Sequence, residues 1–238
     1  MSALYLLRHG QAGTRDDYDK LSDLGHTQAG LLGQYLTKQN VQFSALFCGA
    51  MRRQKETAQH TLDAFAAAGL PLPEVVTDER WNEFDLNQVY GEIAPQLAAT
   101  DHEFRAEYEQ MMAAYSNPSA TFHRESTMLD VKVFRAWVHG TVPFGGESWP
   151  AFCGRVTSAL NDLRKFAGVG HVGVFTSATP TAISVAYSMG VTDIRAARMA
   201  GLSYNSSIST LRIHPDDFTL FSFNSTPHLP EPALRSFR

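Results

Sequence analysis

The chain has 238 residues, 44% of them apolar and 18% charged, an ordinary globular composition that excludes a disordered chain. Lys and Arg number 20 against 24 Asp and Glu, so the net charge is −4; this disfavours a bulk nucleic-acid binder, which would be basic. The two cysteines, Cys48 and Cys153, can form neither a disulfide framework nor a four-thiolate zinc site, and they fit a reducing, cytoplasmic compartment.

The apolar run Leu4 to Leu7 is cut by Arg8, too short for a signal peptide or an anchor. No run approaches the roughly 18 apolar residues of a membrane span. Ala3 to Leu7 instead has the length of a buried strand that stops at Arg8-His9-Gly10. Asp16, Asp17 and Asp19 mark a polar loop, and the trio lacks the glycine and distal glutamate of a calcium loop. Apolar residues at helical spacing predict a helix over 24–36, with Ser22 or Asp23 as its cap. Phe43 to Cys48 reads as a second strand. Arg52 to Ala68 reads as a helix with a stripe of Thr57, Ala58, Thr61, Leu62, Phe65 and Ala66, stopped by Gly69 and Pro71. Val75 and Val76 suggest a third, short strand.

Residues from about 84 to 146 change in texture, with helical spacing through Phe104, Tyr108, Met111, Met112 and Tyr115, a break at Asn117-Pro118, and a second helical pattern over 131–138. They read as a helical cap inserted into one domain spanning 1–238, closed by Gly145-Gly146. Ser148 then caps a helix with Pro150 in its first turn and a stripe of Phe152, Val156, Leu160, Leu163 and Phe166. A strand over 172–176, a helix over about 180–189 and strands over 209–213 and 220–223 follow. The last dozen residues, with three prolines, look like a tail. Alternating strands and helices predict an α/β fold, a three-layer α/β/α sandwich on a mostly parallel sheet.

Ligands of such sheets bind at the carboxyl ends of the strands. Those positions carry Arg8-His9-Gly10-Gln11, Gly49 to Arg53, Arg80 to Glu83, and Thr176 to Thr179. Arginine forks recognise phosphate oxygens, a neutral histidine is a nucleophile, a carboxylic acid protonates a leaving oxygen, and helix N-termini donate to anions. Together these groups suit phosphoryl chemistry. Each alone has a commoner meaning: Arg52, Arg53, Lys55 and Glu56 as a solvated helix face, Glu83 as an exposed loop acid, Cys48 as a small core residue, His60 and His171 as packing residues.

The order and spacing of these motifs resemble the histidine phosphatase (phosphoglycerate mutase-like) superfamily. Arg8-His9-Gly10 matches its hallmark. Leu21 to Ala29 resembles the Leu-Ser/Thr-x-x-Gly-x-x-Gln-Ala run that opens its first helix, and Arg53 before Thr57-Ala58 matches its second phosphate-binding arginine. Trp81-Asn82-Glu83 is similar to the segment carrying the proton donor, and Gly146-Glu147-Ser148 and Asn205 to Ser209 resemble two later signatures. The resemblance implies a phosphomonoesterase acting through a phosphohistidine on a small phosphorylated metabolite. His9 would be the nucleophile, Glu83 the acid and base, and Arg8, Arg53, Ser177 and Gln11 the phosphate-binding groups. No metal or other cofactor, nucleic acid or membrane is implied, and nothing specifies an oligomeric state.

One departure stands out. The family places a second histidine directly after the fourth strand, and Ser177 stands there instead; by analogy with other lost transition-state donors, the change costs on the order of 10²- to 10³-fold in rate. Two alternatives follow from the same residues: a phosphoglycerate mutase, or a catalytically weak phosphate-binding or regulatory protein. Specificity is expected from the cap, whose Arg105, Arg124, Lys132 and Arg135 either meet an anionic group or face solvent.

Overall fold

The computed structural model describes residues 2–14, 17–115, 128–191 and 193–237. Asp16, Arg124 and the Asn117-Pro118 break lie outside the described residues. The chain divides into two compact units, one of residues 1–83 and 155–238 and one of residues 84–154; the sequence placed the insertion at about 84–146.

The larger unit is built on six strands: β1 (Ala3–Arg8), β2 (Phe43–Cys48), β3 (Val75–Thr77), β4 (His171–Thr176), β5 (Ile208–Ile213) and β6 (Phe218–Ser225). Their order in the sheet is β3-β2-β4-β1-β5-β6. The pairs β3–β2, β2–β4 and β4–β1 are parallel, and β1–β5 and β5–β6 antiparallel. Parallel strands need crossovers, and the sequence supplies them as helices: α1 (Asp23–Lys38) joins β1 to β2, and α2 (Arg52–Ala67) joins β2 to β3.

α1 starts where expected because the Ser22 hydroxyl accepts the Gly25 N–H at 3.0 Å, a side-chain cap. Its Leu32 and Leu36 pack with Ala58 and Phe65 of α2 against Leu7, Phe43, Leu46, Cys48 and Phe175 on one face of the sheet. Successive strand residues point to opposite faces. Leu4, Leu6, Val172 and Val174 are thus buried on the other face, which explains why β1 and β4 read as continuous apolar runs. Burial pushes the Cys48 thiol up to about 12, so this cysteine is an inert core residue.

Three segments differ from the sequence expectation. A helix over Asp193–Gly201 follows the helix over Ala178–Met189, where the sequence showed no element. The helix predicted from about residue 180 begins at Ala178. The expected tail is packed: Leu229 is fully buried and His228 nearly so. Gln28 Nε2 donates to the Leu234 carbonyl at 2.8 Å, Asn205 N–H donates to the Ser236 carbonyl at 2.8 Å, and Tyr204 stacks on Phe237 with centroids 4.1 Å apart.

The smaller unit contains α3 (Leu86–Thr100), α4 (His102–Tyr115) and α5 (Met128–His139). α6 (Trp149–Asp162) begins in it. Its core is aromatic: Phe84, Phe134, Trp137, Trp149 and Phe152 meet with centroids 4.6 to 5.9 Å apart, mostly edge to face. Two of the cations named in the sequence, Arg105 and Lys132, serve the unit itself. Arg105 donates to the Ala98 and Ala99 carbonyls at the end of α3, Lys132 pairs with Asp101 at 2.7 Å, and Arg135 is exposed. The helix over Ala178–Met189 is α7 and that over Asp193–Gly201 is α8. No helix among the described residues is long and apolar enough to cross a membrane.

Candidate active site

β1 lies between β4 and β5 with Arg8 opposite Thr176, so His9 and Ser177 leave the sheet side by side at the carboxyl ends of adjacent parallel strands. The His9 backbone is clamped from both neighbours. Its N–H donates to the Thr176 carbonyl at 2.9 Å, and its carbonyl accepts the Ser206 N–H at 2.9 Å. Arg8 N–H donates to the Ser207 carbonyl at 3.0 Å, and its guanidinium reaches the Ser203 carbonyl. Gly10 is required by a close approach: a Cβ there would stand 2.4 Å from the Gly25 carbonyl oxygen, so any side chain pushes the turn off the start of α1. Gly10 N–H is met by Thr57 Oγ1 at 3.1 Å, which ties this turn to α2 as well.

His9 is 4% exposed, and its two ring nitrogens have different partners. Nδ1 lies 2.7 Å from the Gly10 carbonyl oxygen, which only accepts, so Nδ1 carries the proton. Nε2 accepts the Nε–H of Arg53 at 3.1 Å, which requires a lone pair. Both contacts select the same neutral tautomer. Burial first, then Arg53, then Arg8 hold the His9 imidazole well below the ordinary histidine range, against the opposing Gly10 hydrogen bond. The outcome is a buried neutral imidazole whose Nε2 lone pair faces a guanidinium.

Arg52 and Arg53 are neighbours in the first turn of α2, and a helix turns about 100° per residue, so they diverge. The Arg53 side chain is 5% exposed; besides His9 it pairs with Asp19 at 2.6 Å and lies over the Tyr18 ring. The Arg52 side chain is 57% exposed and pairs with Glu56 at 2.7 Å. Asp19 is a residue that sequence reasoning missed. It reads as one of three loop acids, and its partner lies 34 positions away.

The turn carrying Glu83 is fixed from several sides. Thr176 Oγ1 and Gln54 Nε2 donate to the Trp81 carbonyl at 2.7 and 3.1 Å, and Ala50 N–H donates to Asn82 Oδ1 at 2.6 Å. Arg155 Nη1 donates to the Arg80 and Asn82 carbonyls at 2.8 Å each. Glu83 Oε2 itself accepts the Thr179 N–H at 3.1 Å in the first turn of α7. Two neighbouring acids are engaged elsewhere: Asp78 binds Arg80, and Asp85 caps α3. Ser177 is fully buried, and its Oγ accepts from Gln54 Nε2 at 2.9 Å. Gln11 is half-buried; its carboxamide oxygen accepts the Ser22 hydroxyl at 2.8 Å, and its N–H donates to Gln28 Oε1 at 2.8 Å. His171 lies at the opposite end of β4, beside a surface groove of about 450 Å³ lined by Asn40, Gln42, Ser44, Val169 and Gly170.

The fold is thus an α/β sandwich with its basic and nucleophilic residues gathered at the carboxyl ends of β1, β2 and β4. The sequence pattern of the histidine phosphatase superfamily (branch 1) matches residues 4–226, and the chain belongs to that superfamily. A 2,3-bisphosphoglycerate-dependent phosphoglycerate mutase of Mesorhizobium japonicum is 33% identical over 97 residues, 37% of this chain and 45% of that protein. The match thus spans less than half the length of this curated relative. Among solved structures, a phosphoserine phosphatase from Entamoeba histolytica superposes with a TM-score of 0.62 at 18% identity, over 96% of this chain and 100% of that one. A phosphoglycerate mutase from Bacillus anthracis superposes with a TM-score of 0.63 at 15% identity, over 96% and 95%. At such identities the superpositions show a common fold.

Proposed function

We propose that the chain is a phosphomonoesterase that works through a phosphohistidine at His9 on a small phosphorylated metabolite. The observation that supports this reading is the neutral His9 imidazole, protonated on Nδ1, with its Nε2 lone pair beside the Arg53 guanidinium. Nε2 attacks phosphorus in line as the ester P–O bond breaks. Glu83, protonated, gives its proton to the leaving alkoxide. Water then attacks the phosphohistidine, Glu83 takes a proton back, and inorganic phosphate and His9 are released. Arg53 turns from Nε2 to the phosphoryl oxygens as substrate enters, and with Arg8 it offsets the charge spread over them without requiring a metal. The NH₂ of Gln11 is the part of that side chain left to reach an anion.

Ser177, standing where the resemblance places a second histidine, contributes a neutral hydroxyl, so turnover is expected to be slower by about 10²- to 10³-fold than with an imidazole there. A screen of phosphorylated metabolites for phosphate release, with His9→Ala as control, tests the reading. Substrate should leave an acid-labile, base-stable phosphoryl label on the wild type and none on His9→Ala. A label that persists in the variant refutes the assignment. Isomerisation dependent on bisphosphoglycerate without net phosphate release would make the chain a mutase, and phosphate binding without turnover a non-catalytic binder.

A further inference from the structure

Gln54 is fully buried in the first turn of α2, and its carboxamide is fully used. Oε1 accepts the Met51 N–H at 3.2 Å; the NH₂ donates to the Trp81 carbonyl at 3.1 Å and to Ser177 Oγ at 2.9 Å. A carbonyl only accepts and a main-chain N–H only donates, so these partners fix which end of the amide is which. Ser177 Oγ is therefore an acceptor toward Gln54, and its own proton points elsewhere. The fit is tight: a Cβ on Gly49 would stand 2.0 Å from Gln54 Oε1, so this amide occupies the space a side chain at position 49 would take.

Ser177 is also the N-cap residue of α7, where a serine ordinarily accepts the N–H of the second or third helical residue. Here it caps nothing. The second residue, Thr179, gives its N–H to Glu83, and the third, Pro180, has none. The first turn of α7 thus withdraws both of the hydroxyl's usual partners, and α2 supplies Gln54 in their place. The hydroxyl is held beside His9 with its proton uncommitted, since no described residue accepts it.

We propose that Gln54 is a positioning residue that aims the Ser177 hydroxyl as a donor to the transferring phosphoryl group, while the same amide anchors the turn that carries Glu83. The proposal rests on the phosphatase reading. Because the hydroxyl is oriented before substrate arrives, its hydrogen bond strengthens as negative charge grows on the equatorial oxygens, so it acts on kcat more than on KM.

The test uses the whole chain and the variants Gln54→Met, Ser177→Ala and their combination, with Gln54→Asn, whose shorter arm cannot span both partners, as a second substitution should Gln54→Met fail to fold. Each single variant should lower kcat on p-nitrophenyl phosphate about tenfold, with KM changed by less than about threefold, as expected for a contact made in the transition state. The leaving group of this ester needs little help from Glu83, so loss of the anchor on its turn is silent in this assay, and the double variant should be no slower than Ser177→Ala because both changes remove the same donor. Vanadate, a mimic of five-coordinate phosphorus, should bind each single variant about tenfold more weakly, and inorganic phosphate less than about threefold more weakly. Losses that multiply in the double variant, or that follow a fall in Tm, make Gln54 a packing residue and overturn the proposal; so does an unchanged kcat in Gln54→Met. A wild type that neither hydrolyses the ester nor binds vanadate overturns the phosphatase reading, an outcome distinct from an active wild type indifferent to Gln54.

Discussion

Arg53→Met tests the electrostatic core of the site, with Arg52→Met as its comparator. Methionine keeps the apolar stem of either arginine and removes the charge. Arg53 gives up its 3.1 Å hydrogen bond to His9 Nε2 and, in the proposed mechanism, its hold on the phosphoryl oxygens. Losing one charged donor in a buried site costs about 3 to 4 kcal/mol of transition-state stabilisation, or 10²- to 10³-fold in kcat/KM. Stability should fall as well. Of the two partners left behind, Asp19 is about half exposed, and water takes over its solvation at a cost of about 1 kcal/mol or less, while the lone pair of the buried His9 Nε2 is left unmet at a cost of about 1 to 3 kcal/mol. For a chain of this length the sum is a fall of up to about 15 °C in Tm.

A second readout separates charge from contact. Arg53 is the second cause, after burial, of the depressed His9 pKa. Removing it should raise that pKa toward the ordinary value of about 6.5, while burial and Arg8 keep it from arriving there. An NMR titration of the His9 ring nitrogens in the free protein reads this directly, without interference from the substrate's own phosphate ionisation. Arg52→Met, by contrast, breaks exposed pairs with Glu56 and Asp17 and should leave both kcat/KM within about threefold and the His9 titration in place. A normal rate in Arg53→Met, a greater loss in Arg52→Met, or an unmoved His9 titration would each refute the reasoning.

Two further outcomes are expected. Glu83→Gln should slow hydrolysis of alkyl phosphates far more than that of p-nitrophenyl phosphate, because a general acid matters most when the leaving group is poor; equal losses on both would assign Glu83 a positional role through its bond to Thr179. Burial lowers the His228 pKa to about 4, against about 6.5 in the unfolded chain, so its contribution to stability is complete above pH 6.5 and is lost as pH falls toward 4, by about 3 kcal/mol in all. Relative to His228→Gln, the wild type should therefore lose Tm progressively between pH 6.5 and 4, and a Tm difference that stays constant over that range would show that His228 titrates normally.

How much of this was legible in the sequence depends on how local the signal is. The central strands were legible because both faces of β1 and β4 are covered, which leaves continuous apolar runs. α1 was legible because its cap, Ser22, and its stripe are adjacent in sequence. The tail was misread for the converse reason. Its prolines announce a chain leaving the domain, while the groups that hold it, Gln28 and Asn205, lie 206 and 31 positions from Leu234 and Ser236. α8 is a nine-residue helix with few apolar residues beyond alanine, too little for a stripe to show. Gln54 lies among charged residues in a stretch that resembles a solvated helix face. Its burial is created by Trp81 and Ser177, 27 and 123 positions away, and no local pattern records that.

The same distinction runs through the site. His9, the Glu83 turn and Ser177 are held by main-chain hydrogen bonds or by fully buried side chains, so their positions are set when the sheet and α2 assemble. Arg53 is placed differently. One arm meets the His9 lone pair and another meets a half-exposed carboxylate on the loop after β1. Asp19 satisfies the guanidinium without burying a second charge, which limits the desolvation penalty that a buried pair would carry. In the proposed mechanism it also lets Arg53 exchange the His9 nitrogen for a phosphoryl oxygen while its other end stays anchored. The group that this mechanism asks to move is thus the one whose partner faces water, and the groups it asks to hold still are those the core has fixed.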